Sequence, residues 1–280
     1  MIEHLVISGS GPNVFIQLGI LDYLHEHSYF SVSNLKSIYG TSAGAILSIL
    51  MLLGVPISEI KQYVLNRPWH KLFVLDLMQL NQIKGLISSD YLPDIIKPFM
   101  LANDIPDTYT LFDLYTKSGV DFHAFTTNVN DLISVDLNHT TFPDMKLTDV
   151  IRLTASLPPL FSPVKYKDIY YMDGGILNNC PIHSITTEEY TNILIIDITT
   201  SILFSEEFTF IEYMQFIFNK SLNILCENEA NKQYITKCPH YFYVETAPLS
   251  LENINQSLLH LEHRQSLYDL GYKYASTKVY

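Results

Sequence analysis

Basic residues are scarce in this chain. Of 280 residues, 17 are Lys or Arg against 29 Asp or Glu, a formal net charge of −12. Nucleic-acid binding draws its affinity from cations that neutralise phosphates, so the balance excludes that class of partner. It equally excludes a polybasic mode of membrane attachment, while apolar contact with a neutral lipid surface stays open. Cysteine is nearly missing too. Cys180, Cys226 and Cys238 are too few and too scattered for a disulfide framework or a zinc site, and are expected to be reduced thiols. The longest apolar run, Ala43 to Val55, falls short of the roughly 18 residues that a membrane span needs. Met1-Ile2-Glu3-His4 leads straight into a strand pattern, with no basic start and no small-residue cleavage site, so no signal peptide is expected. Repeats, linkers and low-complexity tracts are absent. These gaps imply a soluble, cytoplasmic chain forming a single domain over residues 1–280, its core motifs within 5–196 and C-terminal helices within 205–278.

Against that background, the stretch Gly40-Thr41-Ser42-Ala43-Gly44 stands out. A β-prone piece, Leu35 to Tyr39, runs into it, and an apolar helix-forming run, Ala45 to Leu53, runs out. Strand, tight turn and helix form the setting in which G-x-S-x-G acts as a nucleophile elbow. The turn exposes Ser42 in a strained backbone position that leaves no room for bulk at the flanking glycines, Gly40 and Gly44. It also sets Ser42 at a helix N-terminus, where free N–H groups favour developing negative charge.

Leu5-Val6-Ile7 is predicted as a first strand, broken at Ser8-Gly9-Ser10-Gly11-Pro12-Asn13 and followed by a helix over Phe15 to His25. A dinucleotide fingerprint at Gly9 and Gly11 would require glycine or alanine where Val14 stands, and no acidic residue follows a second strand at the right distance. An oxyanion loop requires only the tight backbone at Gly9 to Gly11. Amphipathic helices interrupted by prolines are expected at Ile57–Leu65, Trp69–Leu80, Tyr91–Leu101 and Leu111–Lys117. The apolar cluster around Trp69 and Phe73 fits either plain core or a mobile cover over a lipid cleft. Gly119–Phe125 and Leu132–Leu137 are predicted as a strand pair in the middle of the sheet, Leu147–Thr154 as a helix and Asp168–Met172 as a strand. Asn192–Ile198, a continuous β-branched run, suits a strand covered on both faces. Long helices are expected at Phe208–Lys232 and Ile254–Ser276. Alternating strands and helices give an α/β fold, three-layered with a mainly parallel central sheet.

A serine nucleophile needs a base. A Ser–Asp–His order would draw on His183, His240, His260 or His263, none of which sits on a recognisable strand-end loop. The other candidate is Asp173, at the C-terminal end of a predicted strand and before Gly174-Gly175. Ligand sites of open α/β sheets lie beyond such ends, although D-G-G is also ordinary turn chemistry.

Taken in order, the glycine loop, the elbow, Ala155-Ser156-x-Pro158-x-x-Phe161-x-Pro163-Val164 and Asp173-Gly174-Gly175-x-x-Asn178-x-x-Pro181 resemble the patatin-like phospholipases from Leu5 to about Ile196. The late Leu270-Gly271-Tyr272 is similar as well. The resemblance implies a Ser–Asp dyad without histidine: Ser42 as nucleophile, Asp173 as general base, and backbone amides of Gly9, Ser10 and Gly11 as oxyanion hole. It further implies a lipid acyl hydrolase acting on phospholipids or related esters, with no cofactor, no metal in the catalytic step, and transient contact with a membrane or micelle surface. Acyl transfer between lipids and a weakly catalytic lipid-binding relative are the alternatives. The family's loop is G-G-G-x-R/K-G; here Ser10, Asn13 and Val14 depart from it.

Overall fold

In the computed structural model, residues 1–74, 78, 80–185, 187, 189–200, 204–208, 213–214, 216–217, 220–221, 224, 236–247 and 250–279 are described. Strands β1 (His4–Ile7), β2 (Ser37–Thr41), β3 (Asp121–Asn128), β4 (Ile133–Leu137), β5 (Val164–Tyr166), β6 (Ile169–Asp173), β7 (Ile193–Thr200) and β8 (His240–Thr246) form one eight-stranded sheet. Its order is β5-β6-β3-β2-β1-β7-β8, with β4 also paired to β3. The pairs β1–β2, β1–β7, β2–β3 and β7–β8 are parallel, whereas β4, β5 and β6 pair antiparallel. The fold is thus α/β with a mostly parallel central sheet and flanking helices.

Both faces of the central strands are covered, which is why β2 and most of β7 are buried without alternation. Leu5 and Ile7 enter the large core with Leu194 and Ile196, while Val6 turns to the opposite face with Tyr39, Phe125, Ile193 and Ile195. That is the two-residue period of a strand, expressed as two cores rather than as core and solvent. Helix α2 (Ala43–Leu52) is buried along its whole length, as its uniformly apolar sequence requires. Helix α1 (Val14–Glu26) packs along the C-terminal helix Leu261–Lys278. Glycines make that approach close: a Cβ on Gly19 would lie 2.1 Å from the Tyr268 carbonyl oxygen, and one on Gly271 2.0 Å from that of Ile16.

Several expectations shift. The strand before the elbow is Ser37–Thr41, not Leu35–Tyr39, because parallel pairing of Ser37 with His4 and Asp121 sets its start. It therefore runs directly into Ser42, and the following helix begins at Ala43. In place of a helix over Trp69–Leu80, the described residues form a single 3-10 turn, Trp69–Lys71, and a short helix, Leu80–Ile83; residues 75–77 and 79 lie outside the described set. The aromatic residues are spent on a local cluster: the Trp69 indole donates to the Val64 carbonyl at 2.8 Å, stacks on Phe73 and meets Tyr63 edge-on. Trp69 is core, whereas Val74 and Met78 are exposed. Pro93 and Pro98 divide the expected helix Tyr91–Leu101 into a 3-10 stretch, Ser89–Ile95, and a helix, Lys97–Ala102. Strand β3 is central, but β4 pairs with β3 alone. The helix expected over Ile254–Ser276 is two helices, Leu251–Leu259 and Leu261–Lys278, broken at an extended His260. Most of the helix expected at Phe208–Lys232 lies outside the described residues, as does Cys226, while neither Cys180 nor Cys238 is in a disulfide.

Candidate active site

Strand β3 splices two strands end to end. Ala124 and Phe125 pair with β2 on one side and with β4 on the other. From Thr126 onward, β4 stays in place while β6, running the opposite way, takes over the side that β2 has left. Thr41 is opposite Phe125 and Asp173 is opposite Thr126, so the residue after Thr41 meets the last residue of β6 head-on. The result is a hydrogen bond across 131 residues: Ser42 Oγ donates to Asp173 Oδ2 at 2.7 Å.

Ser42 holds φ 52° and ψ −121°, a strained conformation for a residue with a side chain. A Cβ on Gly40 would lie 2.7 Å from the Ala45 Cα, and one on Gly44 2.4 Å from the Ile7 carbonyl oxygen. Both glycines are therefore required for the turn to fold back against β1. The strain is held by hydrogen bonds. Ser42 N–H donates to Thr154 Oγ1 at 3.0 Å, Thr154 in turn donates to the Phe125 carbonyl at 2.6 Å, and the Ser42 carbonyl accepts from Ile46. Thr41 Oγ1 donates to the Asn178 carbonyl, and Thr127 Oγ1 to the Asp173 carbonyl.

Asp173 is 2% exposed. Besides the Ser42 hydroxyl, its carboxylate accepts the Gly175 N–H at 2.7 Å. Burial raises its pKa to about 6, and those two hydrogen bonds pull only partly in the other direction. None of the histidines proposed for a triad is hydrogen-bonded to either residue among the described ones; His183 and His260 are exposed, and His240 meets Tyr29.

The loop after β1 lies against Ser42. A Cβ on Gly9 would come 3.3 Å from the Ser42 Cβ and 2.5 Å from Asn179 Oδ1. Gly9 N–H donates to the Asn179 carbonyl at 3.0 Å, and Asn179 Nδ2 donates back to the Gly9 carbonyl at 3.1 Å. Among the described residues, the amides of Ser10 and Gly11 have no acceptor. No group of three or more His, Cys, Asp and Glu side chains among the described residues is arranged to hold a metal ion.

The sequence thus indicates residues that converge: Ser42, Asp173, Gly9, Ser10, Gly11, Gly40 and Gly44. It misses Thr154 and Asn179, which hold them, and Gln17, which hydrogen-bonds the glycine loop at Ser8 and Ser10. Thr154 adjoins the Ala155-Ser156 motif, and Gln17 is a single polar residue inside the apolar run Phe15–Leu21, the only local signals available.

A family profile described as patatin-like phospholipase matches residues 5–185, from β1 to beyond β6. The chain belongs to this family. Probable lipid hydrolase 463L of Invertebrate iridescent virus 6 is 26% identical over 185 residues, covering 64% of this chain and 62% of that protein. Human patatin-like phospholipase domain-containing protein 2 is 25% identical over 187 residues, covering 65% of this chain and 34% of that protein. Among solved structures, VipD from Legionella pneumophila matches 99% of this chain and 66% of its own with a TM-score of 0.62 at 17% identity. The type III effector protein ExoU matches 99% of this chain and 52% of its own with a TM-score of 0.55 at 14% identity. At these identities the likeness to the two solved structures is one of fold. The family match stops at residue 185, before β7, β8 and the C-terminal helices.

Proposed function

We propose that the protein is a serine lipid acyl hydrolase, a phospholipase A or acyl esterase, working through a Ser42–Asp173 dyad and an acyl-enzyme. The observation that carries this is the 2.7 Å bond from Ser42 Oγ, on a strained strand-to-helix turn, to a buried carboxylate. An aspartate near its ordinary pKa of 3.9 is a weak base for a hydroxyl. At about 6, Asp173 is more basic and still mostly ionised at pH 7.

Asp173 takes the Ser42 proton as Oγ attacks the ester carbonyl. The Ser10 and Gly11 amides receive the oxyanion of the tetrahedral intermediate. Gly9 has a different part: its N–H is committed to Asn179, and its contribution is the missing side chain that lets the loop close on Ser42. Collapse expels the alcohol, which takes its proton from Asp173, and leaves the acyl group on Ser42. Water then attacks, again deprotonated by Asp173, and as the acyl–Oγ bond breaks Asp173 returns that proton to Ser42 Oγ and the fatty acid departs. These steps call on no cofactor. The substrate class, a fatty-acyl ester presented at a micelle or membrane surface, rests on family membership and on the lipid hydrolase relative.

The test is labelling by a lipid-like fluorophosphonate. Wild type is expected to label at Ser42, Ser42→Ala not at all, and Asp173→Asn about 10²–10⁴-fold more slowly, the usual worth of a general base. A folded wild type that does not label would point to a lipid-binding relative without catalysis. Full labelling of Asp173→Asn would remove the dyad.

A further inference from the structure

The loop that faces Ser42 is fastened from beneath by a single side chain. Gln17, in α1, has no exposed surface, and its neighbours Phe15, Ile16, Leu18 and Ile20 are buried apolar residues. A carboxamide there is costly unless both of its ends are hydrogen-bonded. Both are, and to the same loop. Gln17 Oε1 accepts from Ser10 Oγ at 2.8 Å, and Gln17 Nε2 donates to the Ser8 carbonyl at 2.7 Å. Ser8 is itself pinned to the sheet, its hydroxyl accepting the Ile198 N–H at 2.9 Å. One amide thus bridges the residues on either side of Gly9, while Asn179 grips Gly9 from the other side. What emerges beyond this clamp is the pair of amides, at Ser10 and Gly11, with no acceptor among the described residues.

We propose that Gln17 is a positioning residue for the oxyanion hole: it fixes the Ser8–Ser10 segment so that the Ser10 and Gly11 amides stay aimed at the oxyanion before substrate arrives. The inference rests on the Ser42–Asp173 reading. It also explains how a serine is accommodated in this glycine loop, since the Ser10 hydroxyl is buried and spent on Gln17. Preorganised donors stabilise charge without reorganising during the reaction, so loosening them lowers the rate of the step in which the oxyanion forms.

The experiment uses the full chain with Gln17→Leu and Gln17→Glu, and follows the second-order rate of fluorophosphonate labelling from pH 5 to 9 together with thermal unfolding. Gln17→Leu should label Ser42 about ten- to a hundredfold more slowly at every pH, less than the 10²–10³ lost when a donor is removed outright. In ester hydrolysis the loss should fall on kcat rather than KM. Gln17→Glu separates positioning from packing. Its protonated carboxyl can accept from Ser10 and donate to the Ser8 carbonyl, so it should approach the wild-type rate at the acid end. Its ionised form presents an acceptor to that carbonyl, so it should show a falling alkaline limb that wild type lacks. Asp197, a buried carboxyl hydrogen-bonded to Tyr241, Ser8 and the thiol of Cys180, is a further titratable group against the loop. It is common to all the proteins, so a limb seen only in Gln17→Glu belongs to position 17. A folded Gln17→Leu labelled at the wild-type rate would overturn the proposal. Should Gln17→Leu fail to fold, a wild-type-shaped profile for Gln17→Glu would overturn it as well. Failure of wild type itself to label overturns the underlying dyad, which distinguishes the two.

Discussion

Asp173 carries a conflict between folding and chemistry. Burial raises its pKa from 3.8 to about 6. Between those values the folded chain holds a proton that the unfolded chain has released, so stability falls as pH rises through that window. Above it the ionised carboxylate stays buried at a cost of roughly 3 kcal/mol, two units at 1.4 kcal/mol each. The proposed mechanism runs the other way, because in it only the ionised form accepts the Ser42 proton. Activity should therefore rise through about pH 6 to a plateau. Asp173→Asn removes the charge while keeping the shape: its Oδ1 still accepts from Gly175, and its Nδ2 faces Ser42 Oγ. That variant should be more stable than wild type at pH 8, by about 1–3 kcal/mol, with the gap closing toward pH 4. Thermal melts at the two pH values decide it. A variant less stable than wild type at pH 8 would mean that the fold repays the buried charge in full.

Arg264 shows the same logic between elements. It is buried, and its guanidinium donates to the carbonyl of Leu65 at 2.7 Å, near the end of helix α3 (Ile57–Asn66), and to that of Ser257 at 3.0 Å. One cation closes the C-termini of two helices, where the unpaired carbonyls and the dipole favour positive charge. Arg264→Met would leave those carbonyls buried and unpaired, and should lower stability by about 3 kcal/mol in urea unfolding. Arg264→Lys should recover only part, having one ammonium for two separated acceptors. A loss below about 0.5 kcal/mol, the range of an ordinary surface change, would show that the carbonyls find other partners. The sequence misleads here. The apolar spacing of Leu258, Leu261, Leu267 and Leu270 continues through His260 as though one helix ran on, whereas the chain is extended at His260 and Arg264 beyond it bonds Leu65, 199 residues away. What is legible is local. The glycines flanking Ser42 and the D-G-G after β6 announce themselves because sterics fix them within a few residues. The end-to-end meeting of β2 and β6 across β3 depends on register, and no residue of either strand encodes it alone. Thr154 and Gln17 escape for the same reason: a buried threonine or glutamine is defined by its partner, not by its neighbours in sequence.

The whole molecule brings a net charge of −12 to a proposed lipid surface. Among the described residues no helix is long and apolar enough to cross a membrane. Exposed Val74, Met78 and Leu80 show that apolar side chains do reach the surface. The molecular field opposes approach to an anionic leaflet, and it acts over a Debye length of about 30 Å at 0.01 M salt but only about 8 Å at 0.15 M. Hydrolysis and co-sedimentation should therefore be weaker with vesicles containing anionic lipid than with zwitterionic vesicles of the same acyl chains at low salt. The difference should shrink as salt is raised, while the zwitterionic rate stays nearly constant. The opposite pattern, tighter binding to anionic vesicles that salt weakens, would mean that a local group of lysines and arginines at the contact outweighs the charge of the molecule. Using Ser42→Ala for the binding arm separates adsorption from turnover, so that a field acting on approach is not mistaken for one acting on the dyad.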